Sequence, residues 1–205
     1  MARFPFLRPA SGTRPRRADT LDVIVEPTLR RLADYWLSRR AGQVMPRRAD
    51  IDPVDIPWAL SQLFLVDCVS DAGRGADGGR WRYRYRLAGE EVEKVFRASS
   101  GRHSLRGAWL DDILEPQHLT PVMARWRPLP DDGCIVYMQG MIYRMADCLA
   151  RGGRIMLPLA DEPGGPVTGL IGATDCDWEC RKAADSATAM PADIAVTYIP
   201  AGMLA

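Results

Sequence analysis

The 205 residues, 47% hydrophobic and 26% charged, are enough to bury one substantial core. A net charge of +1 excludes global electrostatic capture of nucleic acid or of an anionic membrane. The first residues hold a short apolar run broken by Pro5 and Pro9, so neither a signal peptide nor a membrane span is expected.

The chain opens with Arg14, Arg16 and Arg17 beside Pro15, a pattern read as a solvated basic arm over residues 1–21. The first firm element is a helix from about residue 27 to 40. Leu29, Leu32, Ala33, Trp36 and Leu37 fall on one stripe of a 3.6-residue period. Pro27 suits the first turn, and Gly42 can take the left-handed stop. A stripe with a tryptophan on it must be covered. Leu29, Leu32, Trp36 and Leu37 are therefore expected either to cap the domain's own sheet or to form a homodimer interface, and the second is the prediction.

Asp52 followed by Pro53 is a second helix-start signal, and Pro57 keeps that stretch irregular. Residues 63–69, LFLVDCV, read as a well-buried strand. The glycines at 73, 75, 78 and 79 make the next segment a loop. They match neither a dinucleotide nor a phosphate-loop fingerprint. Residues 81–87 alternate, with Trp81, Tyr83, Tyr85 and Leu87 on one face and Arg82, Arg84 and Arg86 on the other. That arginine ladder is either an anion site or, by preference, an ion-paired sheet face.

Val92, Val95 and Phe96 predict a short helix from about Glu90, and residues 109–114 one helical turn. Leu119, Val122, Met123 and Trp126 predict a helix over residues 115–126 despite Pro121, and RPLPDDG reads as a hard break. Three strands follow: residues 134–147 with a bend at Gly140, residues 154–160, and residues 167–174. Residues 179–205 read as a tail. No repeat and no linker divides the chain, so residues 22–178 are expected to be one domain.

The order of two strands, a helical crossover and three strands resembles the single-domain bacterial PAS proteins that lack a fused output module. The segments that carry the likeness are LADYWLSRRAGQVMPRRADIDPVDIPWALSQLFLVD, YRYRLAGEEV, LRGAWLDDIL and RIMLPLADEPGGPVTGLIGA. The most specific are Trp36 with Pro46, Asp52 and Pro53, and later Leu157, Pro158 and Leu159. The resemblance implies an α+β fold: a five-stranded antiparallel sheet with helices on one face, an N-terminal amphipathic helix and an enclosed pocket. His103 stands where that family's pattern has an acid, and Arg86 and Gly89 match its YRLAG stretch.

The pocket is expected between the sheet and the 115–126 helix, lined by Tyr83, Tyr85, Met123 and Trp126, with Tyr137 or Met138 contributed by the third strand according to its register. Either these side chains hold a small, mostly apolar ligand, or they simply fill the core. No cofactor is specified. His118 is either an ordinary surface histidine or, by analogy with haem-binding PAS proteins, an iron ligand. Cys176 and Cys180 lack the second pair a zinc site needs, so no metal is expected, and an odd count of five cysteines argues for reduced thiols in the cytoplasm. Asp111 and Asp112 read as first-turn acids. With no nucleophile and base set, no catalytic residue is named and an enzyme is not expected. The function these patterns support is a cytosolic sensory or adaptor module that binds a small ligand or a signalling protein partner. The alternatives are an enzyme acting in the pocket and a ligand-free dimeric scaffold.

Overall fold

The computed structural model describes residues 14–71, 81–145, 148–180 and 194–204. The expected arm and tail meet in it. Arg16–Arg17 (β1) pairs in parallel with Ile194–Pro200 (β7) at one edge of a single sheet. Helix α1 spans Pro27–Ser38. Strands β2 (Leu63–Ser70) and β3 (Trp81–Ala88) precede helices α2 (Glu90–Ser100), α3 (Leu110–Ile113), α4 (Pro116–Trp126) and α5 (Pro128–Asp132). Strands β4 (Cys134–Met145), β5 (Cys148–Ala160) and β6 (Val167–Cys180) then complete the sheet before β7.

The sheet runs β1-β7-β4-β5-β6-β2-β3. The five expected strands are contiguous and antiparallel within it, with β2 paired to β6 and β4 to β5. Two expectations are corrected. Among the described residues the sheet has seven strands and is mixed, because Ile194–Pro200 adds to the free edge of β4 and Arg16–Arg17 adds to β7 in parallel. Helices cover both of its faces. The break expected at RPLPDDG contains α5, one short turn stopped by Gly133 at φ 64°. The glycine loop lies outside the described residues, as do residues 1–13 and 181–193 of the expected arm and tail.

Two layers of core follow from the strand alternation. On one face Leu63, Ile135, Tyr137, Ile155, Leu157 and Ile171 pack under α1. On the other, Phe64, Val66, Tyr83, Tyr85, Val136, Met138 and Met156 pack under α2 to α5. Cover on both faces is why residues 63–68 read as a nearly continuous apolar run. Close sheet packing also needs Gly172, where a Cβ would run into the Phe64 ring.

Leu29, Leu32 and Trp36 are fully buried against the chain's own sheet, and Leu37 is half-buried there. The stripe predicted as a dimer interface is thus already covered within one chain, and the case for a dimer through it is corrected. The Trp36 indole N–H donates to the Pro158 carbonyl at 2.8 Å, fastening α1 to β5. Asp52 caps the turn that begins at Pro53, its carboxylate accepting from the Val54 N–H at 2.9 Å.

The cysteine expectation is also corrected. Cys148 and Cys180 face each other in the β5–β6 register and form a disulfide, and Cys68, Cys134 and Cys176 are free. The pairing follows strand register, which the short spacing between Cys176 and Cys180 does not reveal.

Candidate functional site

A buried charge marks the site. Arg154 lies on β5 with its side chain on the α4 side of the sheet, and it is 6% exposed. Register places it between Met138 of β4 and Thr174 of β6. Its Nε donates to Thr174 Oγ1 at 2.9 Å, and the Thr174 and Tyr143 hydroxyls lie 3.5 Å apart. The guanidinium sits 4.7 Å from the Tyr143 ring centre and 5.7 Å from that of Phe64. Among the described residues no carboxylate pairs with it.

Beside it a cleft opens beneath α4. Val122, Arg125 and Trp126 form its roof, Met138 and Ile142 its floor with Arg154, and Ile194 of β7 its side. The free space is about 20 Å³, enough for one water-sized group. Arg125 also has no carboxylate partner among the described residues. Burial pulls its pKa below the ordinary range, and the charge of Arg154 adds to that pull against the opposing influence of Tyr198. Arginine does not give up its proton at such shifts, so two cations share one cleft.

The predicted lining is only partly assembled. Trp126 and Met138 border the cleft. Tyr83 and Tyr85 are buried in the same core layer, and Met123 packs against it from α4. Tyr83 meets Trp126 edge-on at 5.1 Å, and its buried hydroxyl has no hydrogen-bond partner among the described residues. Tyr85 lies within the electrostatic reach of Arg154, while burial raises the pKa of both tyrosines. Tyr137 is a correction. It faces the α1 side, where its hydroxyl donates to Glu26 at 2.6 Å. Alternation along β4 sends neighbouring Tyr137 and Met138 to opposite faces, and the register gives the cleft Met138.

Sequence reasoning missed Val122, Arg125, Ile142, Arg154 and Ile194 as lining. A signal for Arg154 was present: it alternates with Ile155 and shares its strand face with Met156 in a run apolar on both faces. A charged residue at such a position needs a reason. Ile194 gave none, because its place depends on β7 joining the sheet.

The remaining candidates take structural places. Asp67, 5% exposed, accepts from Arg48 (2.8 Å), Arg84 (3.0 Å) and Arg86 (2.6 Å), and Arg82 pairs with Asp111 (2.6 Å). The arginine ladder is therefore an ion-paired face. His118 lies 4.0 Å from Glu115 and does not line the cleft, and His103 is exposed. No cluster of metal-binding side chains occurs among the described residues. No helix among them is long and apolar enough to cross a membrane.

Residues 24–171 match the model of the PAS domain. The chain belongs to the PAS domain family. No curated protein and no solved structure matches it. The match begins just ahead of α1 and ends within β6, so it takes in part of both core layers and every cleft residue named above except Ile194 of β7. A PAS domain with this architecture has the form of a sensory or signalling module.

Proposed function

We propose that this PAS domain senses a small ligand seated between the sheet and α4, and that a protein partner or a second copy reads the result. The observation that supports this is the cleft's position over the buried Arg154–Thr174–Tyr143 cluster. A layer built only for stability gains nothing from a charged side chain set among Phe64, Met138 and Trp126. The helix above it is the locally weak element. Pro121 inside α4 has no N–H to give the Gln117 carbonyl one turn back, so α4 can yield at lower cost than the sheet. Ligand occupancy then biases the position of α4, and the change is read at the surface. The module works by binding, not by catalysis.

Comparing native with denaturing mass spectrometry on freshly purified protein tests the reading. Excess mass that disappears on denaturation supports a bound ligand, and the same spectra report oligomeric state. Val122→Ala and Met138→Ala, at residues that border the cleft, sharpen the test. Occupancy should fall by more than the loss in melting temperature explains. If wild type carries no excess mass and both variants only lower stability, the layer is packing alone. The small free volume favours that second reading, a ligand-free scaffold.

A further inference from the structure

We infer that the cleft under α4 binds a small organic carboxylate, its headgroup between Arg154 and Arg125. This rests on the ligand-sensing reading above and names the chemical class of the ligand. Three observations carry it.

The first is the uncompensated charge. A guanidinium as buried as Arg154 is normally paired with a carboxylate, and here the described contacts are a threonine hydroxyl and two aromatic rings. The second is convergence. Arg125, from a different element, lines the same cleft, so two like charges raise the potential of one small space. An anion between them relieves both the desolvation and the repulsion. The third is the surrounding surface. Val122, Trp126, Met138 and Ile194 are apolar. They match an aliphatic or aromatic body and offer nothing to the extra oxygens of a phosphate. The planar guanidinium fork matches a carboxylate in two parallel hydrogen bonds. The present space of about 20 Å³ holds a water-sized group, so seating the headgroup and the body both require α4 to lift.

Titration calorimetry on the full chain, with acetate, butanoate and benzoate against inorganic phosphate and chloride at matched ionic strength, tests the inference. Saturable binding is expected for butanoate and benzoate, tighter than for acetate and absent for chloride. Arg154→Met should weaken it by about a hundredfold and Arg125→Gln by about tenfold, as loss of charge-assisted hydrogen bonds implies. Arg125→Gln, at a half-buried position, keeps the test usable if Arg154→Met fails to fold. Equal responses to all the anions, phosphate preferred over every carboxylate, or unchanged affinity in a folded Arg154→Met would overturn the carboxylate assignment. If no probe binds but native mass spectrometry shows a neutral ligand, this inference fails and the sensing function stands. If neither shows a ligand, both fail.

Discussion

The indole N–H of Trp36 on α1 donates to the carbonyl of Pro158 on β5 across a gap of 122 residues in sequence. It joins the two most specific segments of the PAS-like pattern and holds the N-terminal helix on the sheet. The bond is buried, so losing it strands the Pro158 carbonyl. Trp36→Phe should cost about 1–3 kcal/mol in urea unfolding, the penalty of an unsatisfied buried acceptor.

Because α1 spends its apolar stripe inside one chain, Leu32→Glu and Trp36→Glu should not give a soluble, folded monomer. Each places a carboxylate at a fully buried position of the α1-side core. Circular dichroism and light scattering together should show loss of cooperative melting or aggregation. A folded, monomeric Trp36→Glu protein would contradict the packing.

Asp67 gives the protein an acid-sensitive contact. Burial works against its charge, but hydrogen bonds from Arg86, Arg48 and Arg84 outweigh it and lower its pKa. A depressed folded-state pKa contributes stability that is fully present above the unfolded value of ~3.9 and lost as pH falls through the folded value. Asp67→Asn should lower stability at neutral pH by about 1–3 kcal/mol and flatten the acid limb of the pH–stability curve below about pH 4. Arg84 and Arg86 are 42% and 54% exposed, so their single substitutions should have smaller effects than Arg48, at 21%. Chemical denaturation across pH checks both statements.

Thiol titration reads the disulfide directly. In denaturant without reductant three thiols should react, Cys68, Cys134 and Cys176, and five after reduction. In the native protein at pH 7 the reaction should be slow, because burial pushes Cys68 up to about 12 and Cys176 up to about 11. Replacing Cys148 and Cys180 with serine should lower stability by about 2–4 kcal/mol. Five reactive thiols in unreduced, unfolded protein would show that the pair is not formed.

Patterns of period 3.6 and 2 in the residue string were sufficient for α1, β2, β3, α2, α4 and β4, because each depends on neighbours three, four or two positions away. Of β5 and β6 they marked only residues 154–160 and 167–174, and the strands extend back to Cys148 and on to Cys180. Asp52–Pro53 and Gly133 act just as locally. Helix, strand and turn were legible wherever the cause was short-range. The rest rested on contacts between distant segments. Arg16–Arg17 shows no strand signal, and Ile194–Pro200 carries the β-branched and aromatic residues of a strand without naming its neighbour. β7 takes the open edge of β4, and β1 then adds to β7. An apolar stripe looks the same whether it meets a sheet or a second copy, and only the fold assigns Trp36 to Pro158. Tyr137 and Met138 could be separated only by the register of β4, since a one-residue shift exchanges the two faces. Cys148 met Cys180 for the same reason, through the pairing of β5 with β6. Arg154 was visible as a charge in an apolar strand. That it lies opposite Thr174 and lines, with Arg125, one small cleft is a property of the folded chain.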